Sequence, residues 1–528
     1  MKDVECKENG FNMDCAVLSK KYKIAWLYGV LLGFYCLGMV VYSRYTFNLD
    51  DIWMWLNIYE GKAIFNGYNP ESGRFFPLAS LDLNLLMYFT SNPYVYFVFN
   101  AILVGYFGVL LWRILSIITG GGGRLWLRIV LLCGFLFHPG FVTIMLGICY
   151  PERMQIIFLL VFVLASLRFY QVAKCRYAWL GFISANLALY YKEPTFLMIG
   201  CFGFVGLCIA YVRGLGRIAC GYYASLVASA SVYLGIYLVA IYPKITKIYQ
   251  RVELSAREEW LAFARGIFNF TLNEVFLFVL LPSIVAYRIF LIVRKKSQIH
   301  ILWDSLLLCS LLYVGAFLKL KLFENYYLLP VYIVSFGSMV YFLFIESYVK
   351  IVFFRIVTII CMVVFLINTI PQGINVYSVL KSGGVKFHSA MQFIATQAKD
   401  VPTLYLYFDG NGDRKKFYDR SYWIYFDEYL KKIYDTHNVV VKFDITQAKK
   451  GDFILLNQST SKMVDSQYLA QMGEKYQLVY VSEWFSLPYI GLKPLIKYLF
   501  NSQKIKDAVY GNENIFRLPL RDYIYKVP

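Results

Sequence analysis

The sequence predicts an α-helical polytopic membrane protein with a C-terminal extracytoplasmic α/β domain, on three observations. Apolar residues make up 59% and charged residues 16% of the 528 positions, against roughly 45–50% and 25% in soluble domains. Up to residue 370, apolar runs alternate with short polar joints. From 371 to 528, charged and polar residues are spread evenly, as in a domain that folds in water.

A hydrocarbon core of about 30 Å takes roughly 20 apolar residues as helix, and runs at 24–43, 94–117, 125–147, 154–170, 177–191, 195–212, 219–241, 273–293, 301–318, 326–345 and 351–370 predict about eleven transmembrane helices. The run at 177–191 is short, as for a tilted or half-buried helix. Lys20, Lys21 and Lys23 precede the first run and place the N-terminus in the cytoplasm. Alternation from there gives every inner joint a Lys or Arg: Arg124 and Arg128, Lys174 and Arg176, Arg213 and Arg217, Arg294 to Lys296, and Lys350. The first run is too long, and too poorly flanked, for a cleaved signal peptide. An odd number of crossings leaves residues 371–528 outside. Two domains follow: a membrane module over 1–370 and an exported domain over 371–528.

The net charge of +19 is largely these topogenic residues, so no nucleic-acid partner is expected. Of the eleven cysteines, none falls in 371–528. The exported domain therefore folds on its own core, without disulfides or structural zinc. Its strand-like runs are Thr403–Phe408, Val439–Phe443, Phe453–Leu456 and Leu478–Val481, with helical patterns near 387–399 and 421–435. Asp409-Gly410-Asn411-Gly412-Asp413 reads as a turn and matches no phosphate-cradle motif.

The longest predicted outer loops are 44–93 and about 242–272. The second contains an amphipathic stretch from Tyr249 to Phe268, suited to lying flat at the interface. The first opens on Asn48-Leu49-Asp50-Asp51-Ile52-Trp53-Met54-Trp55. From Asp51, the residues Ile52, Trp55, Leu56, Tyr59 and Ala63 recur at helical spacing and predict a short amphipathic helix along the membrane. Gly61-Lys62, Asn66 to Pro70 and Gly73 to Pro77 then give the loop a fixed shape. Asn48 suits an N-cap, and Asp50 and Asp51 would face the helix dipole well. Arg74, Arg153 and Lys192 are predicted on the same side, however. A carboxylate beside such cations suits chemistry on a lipid phosphate: the acid takes a proton from an incoming hydroxyl, and the cations neutralise the departing phosphate.

An acidic pair just past the first helix, an interfacial helix after it, many spans and an exported domain together resemble the GT-C superfamily of membrane glycosyltransferases, which use polyprenyl-phosphate-linked sugars. The pair Asp50-Asp51 looks like the acidic signature of their first loop, with Asp in place of the commoner second Glu. The resemblance implies Asp50 as catalytic base, with Asp51 as its neighbour or substitute. Asn325-Tyr326-Tyr327-Leu328-Leu329-Pro330 is similar to the Tyr-x-x-Pro segment that begins a late helix in several of these enzymes. It puts Tyr326 and Tyr327 beside the donor phosphate. The resemblance covers about residues 24–370 in architecture. It implies a bacterial inner-membrane enzyme working on lipopolysaccharide or another envelope glycan, with an inverting in-line attack.

Other charges have two readings each. Glu152-Arg153 and Lys192-Glu193 are either neighbours neutralising one another, or cations holding donor phosphate with the acids orienting them. Lys319 and Lys321 either clamp phosphate or snorkel. His138, before Pro139, reads as a satisfied polar group inside a span. Tyr422 and Trp423 are candidates for stacking on an acceptor glycan. The acidic pair could also hold a divalent cation, Mg²⁺ or Mn²⁺. Two alternatives stand beside the transferase. One is a polymerase or ligase using lipid-diphosphate oligosaccharides, which would need a large late outer loop. The other is a transporter or flippase, marked by charge buried mid-span and helices broken at matching positions. Neither mark is legible in the sequence.

Overall fold

The computed structural model describes residues 15–44, 49–120, 124–246, 256–320, 324–408, 418–442, 444–457, 466–483 and 521–528, with isolated positions at 322, 485, 487, 491–492 and 495–496. Helix α1 (Cys15–Val40) leads to the short α2 (Leu49–Tyr59), and a hairpin of β1 (Tyr68–Asn69) and β2 (Arg74–Phe75) follows. After α3 (Leu81–Met87), the bundle is built from α4 (Pro93–Ile118), α5 (Leu125–Leu136), α6 (Pro139–Leu146), α7 (Glu152–Val172), α8 (Cys175–Tyr191), α9 (Thr195–Val212) and α10 (Arg217–Ile236). It continues through α11 (Ala256–Asn273), α12 (Leu281–Val293), α13 (Ile301–Leu320), α14 (Leu329–Val340), α15 (Val352–Val364) and α16 (Ile370–Ala398).

Each predicted run falls on helix. Among the described residues, nine helices are long and apolar enough to cross a membrane, or ten when α5 and α6 are counted as one bent span. The expected count of about eleven is reached only by including α8, which at 17 residues is shorter than the roughly 20 a full crossing takes.

Two helices are broken inside the bundle. Helices α5 and α6 bend by 62° at His138-Pro139. Proline cannot donate to the preceding turn and pushes the residue before it into extended backbone; His138 adopts φ −72° and ψ 127°. Its Nδ1 accepts from Gly140 N at 3.2 Å, capping α6. Helix α11 breaks at Glu274 before a wide turn over Phe276–Leu280. The carbonyls freed there are taken up across the interface: Asn368 Nδ2 donates to Leu272 O at 3.1 Å, and Thr369 Oγ1 donates to Asn273 O at 2.8 Å. His138 Nε2 and Glu274 Oε2 meet at 2.9 Å between the breaks, both buried. Since Nδ1 already accepts, Nε2 carries the proton toward the carboxylate. A polar pair buried between two helix irregularities is thus present, and it was not legible in the sequence.

Helix continues from Val352 to Ala398 over 47 residues, through a wide turn at Phe365–Thr369. At 1.5 Å per residue this is on the order of 70 Å, more than twice a bilayer core, so α16 projects well beyond it. Gly373 lets α16 cross the α5/α6 break: a Cβ there would lie 1.7 Å from Phe137 O.

The C-terminal region adds β3 (Leu404–Phe408), α17 (Tyr418–Tyr434), β4 (Val439–Lys442), β5 (Phe453–Asn457), α18 (Ser466–Lys475), β6 (Gln477–Glu483) and β7 (Arg521–Lys526). The sheet order is β4-β3-β5-β7-β6, with β4, β3 and β5 parallel and β7 antiparallel to both neighbours. The four expected strands are all found. The fifth, β7, was not expected.

Leu404, Leu406 and Phe408 pack one sheet face on Phe387 and Met391 of α16 and Phe426 of α17. Ile52, Trp55 and Leu56 of α2 belong to that same core. Helix α2 is therefore not free on the membrane surface as expected. Ile52, Met54, Trp55, Leu56 and Ile58 are all buried, because the C-terminal domain covers it. It ends at Tyr59, the chain turns at Gly61 with φ +67°, and Ala63 lies beyond it.

Candidate functional site

Helix α2 and the α6–α7, α8–α9 and α13–α14 joints meet at the end of the bundle that carries the C-terminal domain. Asp51 is the first tie. It is 2% exposed, and its Oδ1 accepts from Ile148 N at 2.9 Å and Cys149 N at 2.8 Å. Two N–H donors on one oxygen fix α2 to the α6–α7 joint. Asn100 holds that joint from below, donating from Nδ2 to Met145 O at 3.0 Å. Arg153 Nη1 donates to Asn100 Oδ1 at 3.1 Å, and its Nη2 to Asp82 Oδ2 at 2.6 Å. A rigid chain thus runs from Asp82 through Arg153 and Asn100 to the loop gripping Asp51.

The next residue, Tyr150, sits edge-on to Tyr326 at 5.1 Å, and Tyr326 packs on Tyr327 at 4.4 Å. The Asn325–Tyr326 backbone comes close to α6 because Gly140 faces it; a Cβ there would lie 2.9 Å from Asn325 O. Tyr327 and Phe76 form two walls around the Lys192 ammonium, 5.2 and 5.1 Å from their ring centres. Lys192 Nζ also pairs with Glu152 Oε1 at 2.8 Å. Burial alone would lower the Lys192 pKa, but Glu152 and Glu193 outweigh it and hold the ammonium above its usual range. Burial raises the Glu193 carboxyl, with Lys192 opposing. Glu193 Oε1 accepts from Phe75 N at 3.2 Å, and Arg74 on β2 is within its electrostatic reach. The hairpin is held over this point by Tyr237, whose hydroxyl donates to Gly73 O at 3.1 Å, and by Tyr233, which donates to Phe75 O.

Asp51, Arg74, Arg153, Lys192, Glu152, Glu193, Tyr326 and Tyr327 thus gather at one end of the bundle. Two of these residues are engaged within the protein itself. Arg153, expected at donor phosphate, is 2% exposed with Asp82 and Asn100 on its fork, so it braces the site from inside. Asp51, expected as the neighbour or substitute of the base, has Oδ1 accepting from two backbone N–H groups. Lys319 ends α13 exposed. The side chains of Asp50, Tyr422 and Trp423, and Lys321 altogether, lie outside the described residues. Among the described residues, no group of three or more His, Cys, Asp or Glu could hold a metal ion.

Sequence reasoning missed Asp82, Asn100 and Tyr150. Asp82 and Asn100 are polar residues in largely apolar helices, a pattern that signals buried pairing. Tyr150 is one tyrosine among 46, and nothing marked it. Compared with known proteins, the chain matches no family model and no curated relative.

Proposed function

We propose that the chain is a glycosyltransferase that moves a sugar from a polyprenyl-phosphate-linked donor to a hydroxyl of an envelope glycan, on the extracytoplasmic face of a bacterial inner membrane. One observation carries the reading. The helix bearing the acidic doublet is anchored, through Asp51, to the loop that leads by Tyr150, Tyr326 and Tyr327 to Lys192. An acid and a caged cation on one rigid frame is what transfer from a phosphate needs. With Asp51 engaged by backbone, Asp50 is the base. It takes the acceptor hydroxyl's proton as the new bond forms at the anomeric carbon. The bond to the phosphate oxygen breaks on the far side, and the lipid phosphate leaves with its electron pair. Lys192, exchanging Glu152 for phosphate, and Arg74 stabilise that charge. Tyr326 and Tyr327 line the approach, and the C-terminal domain holds the acceptor.

A second reading, a lipid-glycan transporter or flippase, is favoured by the His138–Glu274 pair between two broken helices. Radiolabelled polyprenyl-phosphate sugar separates the two. A transferase in detergent releases label into an acceptor with inverted anomeric configuration. A transporter moves label across vesicles and leaves the glycosyl bond intact.

A further inference from the structure

The cations around Lys192 all face acids: Lys192 meets Glu152 and Glu193, Arg153 meets Asp82, and Arg74 faces Glu193. A second cationic cluster, at the exit of α1, has no such partner among the described residues. Lys381 on α16 donates from Nζ to Met39 O at 2.8 Å, Val41 O at 2.7 Å and Ser43 Oγ at 3.3 Å. This ammonium closes the C-terminal end of α1, where unpaired carbonyls favour a cation, and it fixes the chain up to Ser43. Arg44 comes next. Its Nη1 donates to Ser43 O at 2.9 Å and to the Tyr94 hydroxyl. Among the described residues, no carboxylate pairs with it.

His388 stands seven residues beyond Lys381, two turns along the same face of α16. Its Nδ1 lies 3.1 Å from the Tyr429 hydroxyl and 3.2 Å from the Tyr434 hydroxyl. Tyr434 also donates to His388 O at 3.2 Å. Arg44 is in electrostatic reach of all three. Arg44, His388 and Tyr434 are half-buried, so the cluster is reachable from solvent. The Arg44 guanidinium also lies over the Tyr94 ring, 5.4 Å from its centroid, and a guanidinium in the neighbourhood of hydroxyls and an imidazole suits an oxyanion.

We propose that Arg44, His388 and Tyr434 form a phosphate-binding subsite between the exit of α1 and the C-terminal domain. In the chain, Arg44 stands six residues before Asp50 of the acidic doublet. The chemistry is that of a phosphate monoester or diester, from a prenyl carrier or from a phosphorylated glycan. The choice of a prenyl carrier rests on the transferase reading; the oxyanion site does not.

The test is direct binding to the purified full chain in neutral detergent, without acceptor, using a soluble short-chain prenyl phosphate, inorganic phosphate and a sugar phosphate. Arg44→Gln weakens the bound phosphate at least about tenfold, as expected for losing a charge-assisted bond. Arg44→Lys keeps the charge, loses the fork, and falls between the two. A prenyl phosphate that outcompetes the sugar phosphate names the carrier as the source, and the reverse order names the glycan. Wild-type affinity in Arg44→Gln, or no binding of any probe by the wild type, overturns the proposal. If Arg44→Gln does not fold, His388→Gln with Tyr434→Phe carries the test, and unchanged affinity in that pair overturns it equally. Binding that depends on Arg44 without sugar turnover defeats the transferase reading alone. Turnover with binding indifferent to Arg44 defeats this one alone.

Discussion

Arg153 Nη2 lies 2.6 Å from Asp82 Oδ2, in a pair with side-chain exposures of 2% and 7%. A buried pair is costly to break from one side, because the remaining charge is stranded. Asp82→Asn should therefore lower stability by about 3–5 kcal/mol. Adding Arg153→Gln should recover part of that loss. Thermal unfolding of the two variants in detergent checks this; additive losses would mean the residues do not act as a pair.

Glu60 and Lys432 join α2 to α17. The Lys432 hydrogen bond, aided by Lys62, holds the Glu60 carboxyl below its usual range, and Glu60 and Glu428 hold Lys432 above its own. A lowered carboxyl contributes stability that is full above its unfolded pKa, near 4.3. That stability is lost as pH falls through the lower folded value. Hydrogen exchange in α2 and α17 should accordingly quicken below about pH 4. Glu60→Gln should show the faster exchange already at neutral pH. Equal protection in both proteins at pH 7 would show that the pair does not hold the two helices together.

Much of the membrane architecture was legible because apolar length and basic joints report it directly; every predicted run lies on helix. The breaks were not. Pro139 was read inside an unbroken span, and Glu274 reads as an acid at the head of a span until Asn368, Thr369 and His138 are brought beside it. Strand β7 was hidden because its pairing is non-local: Ile524 pairs with Leu455 and Tyr480. At the site, residue types were readable and partners were not. Lys192 beside Glu193 in sequence suggested that neighbouring pair, whereas its short contact is to Glu152 on another helix.

The His138–Glu274 contact ties two helix breaks together. Glu274→Leu strands the Nε2 donor and should cost about 1–3 kcal/mol. Glu274→Gln keeps an acceptor oxygen and should cost less. Unfolding midpoints compare them; equal loss in both would remove the hydrogen bond as the reason.

Gly373 faces Phe137 O without room for a methyl group. Gly373→Ala should cost about 1–3 kcal/mol through overpacking. Gly383 on the same helix has open space, so Gly383→Ala serves as the control and should be neutral or slightly stabilising.

The acidic doublet tests the whole account most directly. Transfer of labelled sugar from a polyprenyl-phosphate donor is measured for the purified wild type, Asp50→Asn and Asp51→Asn. Loss of a general base removes about 10²–10⁴-fold in rate, and that is the outcome expected for Asp50→Asn. Asp51→Asn, whose amide oxygen still accepts from Ile148 and Cys149, should lose far less. Full transfer by a protein carrying both substitutions would contradict the account.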